Sequence, residues 1–287
     1  MGQDGSVPAI ADKYQEFITG LKEGKFKNIC FITGAGISTS AGIPDFRSKT
    51  GLFAQTQKKY NLSSPEAFFQ INSFYRHPEH FYDFCKGFNI DHCKPTKTHL
   101  FMGFLIQKQM LLKIYTQNVD GLELKAGIPK NKVVFAHGTI TEAHCPNCNK
   151  YVDIEELRKY VMDDKIMYCE KCKVPCKPKV VFYGENLPGS FYKQFNYIYE
   201  SDLTFIMGTS LKVMPFGRLP YEVPKLAWRV LINKEKVGTV LTYNRFKFDD
   251  NTKRDLFISG YTDEIVARIV KDCGWEEEFE AYTKQYV

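Results

Sequence analysis

The chain has 287 residues, 44% of them hydrophobic and 25% charged, with a net charge of +6. That composition belongs to a globular protein with a sizeable core, and it excludes a disordered or fibrous chain. The basic excess is small and scattered, which gives no case for direct nucleic-acid binding, and no run of 18 apolar residues is present to form a transmembrane helix.

Residues 1–25 read as an N-terminal extension. Their opening, MGQDGSVPAI, lacks the apolar core of a secretory leader, so the expected compartment is reducing: cytoplasmic, with a nuclear share left open. Met1-Gly2-Gln3-Asp4-Gly5-Ser6 fits the N-myristoylation pattern; one acyl chain on Gly2 would give only weak membrane contact.

The run 27–33 (KNICFIT) predicts a buried strand that ends on Gly34-Ala35-Gly36-Ile37-Ser38-Thr39. Further strands are predicted at 111–116, 132–136, 203–207, 228–232 and 256–258. Helical patterns fall at 96–109, 190–200 and 263–273, the last with Thr262 as its cap. Strand and helix in alternation predict an α/β fold with a doubly wound parallel, Rossmann-like sheet. Two segments break the alternation. Residues 51–107 are helical, rich in Phe and Tyr, and begin a helix at Ser64-Pro65-Glu66. Residues 141–178 carry paired cysteines. The expected division is therefore a nucleotide-binding domain of 26–50, 108–140 and 179–287, with a helical insertion (51–107) and a zinc-ribbon insertion (141–178) forming a smaller domain.

Cys145-x2-Cys148 and Cys169-x2-Cys172 supply four thiolates in two knuckles. In a reducing compartment such pairs mean metal, and four sulfurs close a tetrahedron around zinc with no position left for water. One structural zinc is expected. Cys176 belongs to neither knuckle. Asp153 and Glu156 form a capping-box-like pair at the start of an intervening helix.

The glycine loop follows a strand and is expected to open a helix, the setting in which backbone N–H groups meet a pyrophosphate. Thr39 stands where a third glycine would belong, and a plain tight turn also fits. Polar clusters then follow four other strands: Gln117-Asn118-Val119-Asp120, His137-Gly138-Thr139, Gly208-Thr209-Ser210 and Asn233-Lys234-Glu235. Ligands of open parallel sheets bind at the carboxyl ends of strands, so these clusters point to one shared crevice. His137 is the one group among them with an ordinary pKa near neutrality, a candidate base. Asp45-Phe46-Arg47 places an acid, a ring and a cation just after the glycine loop.

Taken together, Gly34-Ala35-Gly36-Ile37-Ser38, Gly42-Ile43-Pro44-Asp45-Phe46-Arg47, Thr116-Gln117-Asn118-Val119-Asp120, His137-Gly138-Thr139, the four cysteines, Val180-Val181-Phe182-Tyr183-Gly184-Glu185 and Gly208-Thr209-Ser210-Leu211 resemble the sirtuins over about residues 26–275. These are NAD-dependent protein lysine deacylases, and the pattern is most similar to the class I, sirtuin-two branch. The resemblance implies that NAD is consumed and that its phosphates meet Gly34, Ala35, Gly36, Ser38 and Thr39. Asp45, Phe46 and Arg47 would form a loop over the nicotinamide end, and Gln117, Asn118 and Asp120 would position ribose and amide. Gly208, Thr209, Ser210, Asn233, Lys234 and Glu235 would hold the adenosine half, with Tyr261 and Thr262 at the adenine.

His137 would act as general base, with Asn118 as its catalytic companion. An acyl-lysine peptide would pair as a strand with Val181–Glu185 (Val181, Phe182, Gly184, Glu185), facing Val213. Histone-like and tubulin-like partners both remain open. The segment 51–57 (GLFAQTQ) lacks the Tyr-x-x-Arg device for acidic acyl groups, which implies acetyl or longer fatty acyl substrates over succinyl. Protein ADP-ribosyl transfer, or a non-catalytic NAD-binding zinc scaffold, are the alternative functions.

Overall fold

The computed structural model describes residues 6–87, 92–238, 243–248 and 254–286; the Gly2 pattern lies outside them. In chain order the first elements are α1 (Ser6–Lys22), β1 (Ile29–Thr33), α2 (Leu52–Lys59), α3 (Ile71–Arg76), α4 (Pro78–Gly87), α5 (Lys97–Gln107) and β2 (Leu111–Thr116). Then come α6 (Leu122–Lys125), β3 (Val133–Phe135), β4 (Gly138–His144), β5 (Tyr151–Val152), α7 (Ile154–Met162), β6 (Lys177–Val180) and α8 (Gly189–Gln194). The chain closes with β7 (Leu203–Met207), α9 (Leu219–Glu222), β8 (Trp228–Asn233), β9 (Asp255–Ser259), α10 (Thr262–Asp272) and α11 (Glu276–Thr283).

The six apolar runs form one sheet, ordered β3-β2-β1-β7-β8-β9, with every pairing parallel. This is the doubly wound order, and the chain changes direction across the sheet between β1 and β7. Every residue of β1 and of β7 is buried, as a sheet covered on both faces requires. Alternation along β1 sends Phe31 to one face and Ile32 to the other. Phe31 stacks on Phe205 at 4.9 Å and packs beneath α1, α5, α10 and α11 through Phe17, Phe101, Ile269 and Phe279. Ile32 joins Ile206 and Leu231 under Phe191 of α8 and Leu219 of α9.

At the far edge, Arg229 and Asp255 form a fully buried two-pronged ion pair, both contacts 2.6 Å. The guanidinium also donates to the carbonyls of Pro220, Asn244 and Arg245. A buried charge needs this degree of pairing to offset desolvation.

The smaller lobe has a three-stranded antiparallel sheet, β5-β4-β6, together with α2, α3, α4 and α7. Its core is largely rings: Phe53, Phe68, Phe69, Phe74, Phe81 and Phe182.

Some expectations are corrected. Helix α5, expected inside the 51–107 insertion, packs with the parallel sheet, because Leu100, Phe101, Phe104 and Leu105 all face that core. The small sheet starts at Gly138 and ends at Val180, outside the expected borders of 141 and 178. The 1–25 extension contains a 17-residue helix whose Phe17, Ile18 and Leu21 enter the main core. Ser64 precedes a 3-10 turn rather than an α-helix, and residues 195–200 are likewise 3-10. The cap of α10 is Tyr261; the Thr262 hydroxyl instead accepts from Thr98 Oγ1.

Candidate active site and zinc centre

Each CxxC knuckle is a tight turn closed by its own backbone. Cys145 N donates to Lys150 O while Asn149 N donates to Cys145 O; Cys169 N donates to Val174 O while Lys173 N donates to Cys169 O. Asn149 and Lys173 occupy equivalent left-handed positions, at φ 60° and 57°. Two copies of one turn thus aim four sulfurs inward, and all four Sγ atoms lie within 4.8 Å of one another. Four thiols so gathered, with no disulfide among them, fit one tetrahedral zinc held for structure. Cys176 is buried nearby and outside the cluster.

The carboxyl ends of the parallel strands open into a cavity of 1330 Å³ shared with the small lobe. Strand ends are knitted together there: Gly34 N donates to Met207 O, Gly36 N to Gly208 O, and Gly208 N to Ile232 O. A Cβ on Gly36 would sit 2.7 Å from Gly208 Cα, so the β1 and β7 loops approach only because both are glycine there. The loop continues as two short 3-10 turns, Ala35–Ile37 and Thr39–Ala41. The helix expected to open here is absent, and most of the loop's N–H groups are spent within the protein.

Thr209 Oγ1 donates to Gln117 Oε1 at 2.7 Å, and Asn233 Nδ2 donates to Thr209 O. Three strand-end clusters are therefore one hydrogen-bonded unit. His137 follows β3, and Gly138 follows it at φ +78°, where a Cβ would collide with Lys179 O. That tight crossing ties the His137 main chain to β6's end, where Val181 N donates to His137 O. The ring is half-buried, lines the cavity and packs 6.1 Å from Phe216. Burial pushes its pKa from 6.5 down to about 4; a hydrogen bond to the Gln117 main chain works against this, and the Arg47 charge adds to it. The imidazole is neutral at physiological pH, the state a general base requires.

The Sir2 family model matches residues 34–215, which include every one of these elements from the glycine loop to the β7 end. The chain belongs to the Sir2 family. It is 39% identical to "NAD-dependent protein deacetylase hst2" of Schizosaccharomyces pombe, over 94% of this chain and 79% of that one. Against "NAD-dependent protein deacetylase sirtuin-2" of Danio rerio it is 39% identical, over 91% of this chain and 72% of the relative. Against "NAD-dependent deacetylase sir2A" of Dictyostelium discoideum it is 41% identical, over 98% of this chain and 56% of that longer protein.

In this sirtuin the cavity is lined by Gly34, Ala35, Gly36, Thr39, Asp45, Phe46, Arg47, Gln117, Asn118 and His137. Gly208, Thr209, Ser210, Val213, Asn233, Lys234, Glu235, Tyr261 and Thr262 line it on the β7–β9 side, and Val181, Phe182, Gly184 and Glu185 on the small-lobe side. Ser38 and Asp120 are the exceptions. Both are buried behind the wall, where Asn118 Nδ2 donates to Ser38 Oγ (3.1 Å) and Ser38 Oγ donates to Asp120 Oδ2 (2.8 Å). Their hydrogen bonds hold Asn118, which lines the cavity.

Two other residues spend hydrogen-bonding groups on the protein's own loops. Asp45 accepts from the N–H groups of Arg47 and Ser48, so it shapes the loop. Tyr183 uses both main-chain groups on the 69–71 strap: its N–H donates to Phe69 O and its carbonyl accepts from Ile71 N. The edge open to an added strand is correspondingly shorter than Val181–Glu185.

The sequence reading missed the apolar end of the cavity: Phe81, Phe84 and Cys85 of α4 face Leu157 and Val161 of α7. These helices are far apart in sequence, and no local pattern pairs them. Among the described residues, no helix is long and apolar enough to cross a membrane.

Proposed function

We propose that this sirtuin is an NAD-dependent protein lysine deacylase acting on acetyl and longer fatty acyl groups. The observation that carries the reading is a neutral imidazole, His137, lining one cavity whose walls are a glycine-built anion loop on one side and a peptide-sized edge on the other.

The donor set fits NAD. The Gly34–Gly36 loop carries no side chain larger than a methyl to bar a pyrophosphate, and of its three N–H groups that of Ala35 is the one not turned to Met207 or Gly208, with the Thr39 hydroxyl nearby. Thr209, Ser210 and Asn233 supply hydroxyl and amide groups for a ribose, with Lys234, Glu235, Tyr261 and Thr262 at the adenosine end. When bound, NAD supplies a ribose carbon that releases nicotinamide and accepts the acyl oxygen, and it is consumed.

The protein's own tasks follow. Asn118, fixed by Ser38 and Asp120, and Gln117, fixed by Thr209, orient the nicotinamide half. With NAD bound, His137 would be the group to take a proton from a ribose hydroxyl. Phe46 and Arg47 cover the opening and keep water from hydrolysing NAD, Phe46 packing edge-on to Phe53 at 5.6 Å and Arg47 lying over the same ring at 5.1 Å. Gly184, Glu185 and Val213 frame the acyl-lysine peptide. Four reduced thiolates suit a cytoplasmic or nuclear setting.

The test is mass spectrometry of products from acyl-peptides and NAD. Deacylation gives nicotinamide, O-acyl-ADP-ribose and free lysine peptide in equal amounts. ADP-ribose attached to protein, with the acyl group retained, would replace this reading with transfer.

A further inference from the structure

Lys177, at the start of β6, has a fully buried side chain. A buried ammonium is costly unless paired, so its partners show what it is there to hold. Nζ donates to Val180 O, forms an ion pair with Glu185 Oε2 at 3.0 Å, and lies 4.5 Å over the Phe182 ring. These partners all fall between residues 180 and 185, the segment that forms the small-lobe rim of the cavity.

That rim is a four-residue turn. Glu185 N donates to Phe182 O, and Gly184 sits at the third position with φ +95°, as a type II turn requires. Glu185 Oε2 closes the same turn again by accepting from Phe182 N at 2.8 Å. The Glu185 carboxylate is therefore engaged by both Lys177 and the turn's own N–H. Phe182 meets Phe69, Phe74 and Phe81 edge-on at 6.0, 5.7 and 4.8 Å, which carries the arrangement into the helical half of the lobe. Across the cavity stand Val213 and half-exposed Met214.

We propose that Lys177 is the positioning residue for the acyl-lysine peptide: by holding Val180, Phe182 and Glu185 together it sets the height of the 183–185 rim opposite Val213 and Met214. It touches no substrate itself. The inference rests on the deacylase reading and adds the element that fixes peptide geometry independently of NAD.

The test compares the zinc-loaded full chain with Lys177→Met, Lys177→Arg and Glu185→Gln. KM is measured separately for an acetyl-lysine peptide and for NAD. Lys177→Met should raise the peptide KM about tenfold and leave the NAD KM within about twofold, since the β1 and β7 loops are untouched. Lys177→Arg, which keeps the charge, should recover most of the loss. A folded Lys177→Met enzyme with an unchanged peptide KM, or with both KM values raised equally, overturns the proposal.

If Lys177→Met does not fold, Glu185→Gln decides. It keeps the bond from Phe182 N and loses the ion pair, so a peptide KM raised about threefold supports the proposal and an unmoved one overturns it. A wild-type chain that releases no nicotinamide from NAD and acyl-peptide would instead fail the deacylase reading, a result visible before any variant is made.

Discussion

The two lobes solve the same packing problem with different means. The large lobe stacks fully buried strands between helices on both faces, and its aliphatic and aromatic core is continuous from α1 to α11. The small lobe has strands of two to seven residues, helices of six to ten, and a core made mostly of rings in edge-on contact. So small a unit buries too little to stand alone, and four thiolates around zinc supply what its core lacks. The cavity lining follows the same division. The glycine loop, Asn118 and His137 sit at the ends of the large sheet, while residues 181–185 follow the last strand of the small one.

Gly138 pairs with Val180 and His144 with Lys177, so β4 leads from His137 to Cys145 across only a few residues of β6. The cysteine cluster and His137 thus adjoin opposite ends of one strand of the small sheet.

Removing the metal tests this contrast most severely. Cys169→Ser, or chelation of the wild type, should abolish deacylation and unfold the small lobe, since structural zinc contributes on the order of 10 kcal/mol to folding. Hydrogen exchange should show protection lost in 138–180 and kept in β1 and β7; equal loss in both lobes would erase the distinction. His137→Ala should lower kcat by about 10²- to 10⁴-fold and leave the NAD dissociation constant nearly unchanged, which calorimetry and steady-state kinetics together can check. Arg229→Met strands the Asp255 carboxylate inside the large lobe and should cost about 3–5 kcal/mol of stability in denaturant titration, with zinc content unaltered.

Acyl preference probes the seam between the lobes. An apolar cavity end at Phe53, Phe84 and Leu157 should give kcat/KM at least about tenfold higher for acetyl- or longer fatty acyl-peptides than for succinyl-peptide; comparable rates would refute the assignment. The smallest effect is on pH. His137 is depressed from 6.5 to about 4, so below 6.5 the unfolded chain binds more protons at this site than the folded one. This contribution to stability is intact above pH 6.5 and is lost as pH falls toward 4. The acid limb of kcat/KM assigned to this base should lie near pH 4 rather than 6.5, and a limb at 6.5 would mean that the ring is more solvated than its surroundings indicate.

Much of the large lobe was legible in the sequence. The strands at 111–116 and 203–207 fall where their apolar runs lie, because a strand buried on both faces is mostly apolar, with Lys113 the exception in β2. The strands of the small sheet, GTITEAH and KPKV, escaped notice because lysine and glutamate interrupt any alternation. Helix α1 escaped as well, its Phe17 and Leu21 reading as an extension until the sheet gave them a face to cover. The four-cysteine cluster was readable from its spacing, and the place of His137 in the crevice from its position after a strand. That Ser38 and Asp120 lie behind the wall was not readable, since the motif alone does not tell a residue facing the cavity from one supporting it.

Spacing and apolar runs alone carried the six strands of the large sheet and the two cysteine knuckles, because each is written in neighbouring residues whose chemistry is local. Only the tertiary structure decided that α5 flanks the large sheet, that α4 and α7 close the apolar end of the cavity, and that Lys177 holds Glu185. Those contacts join residues from separate elements or turn a side chain inward, and burial selects them only after the sheets have formed.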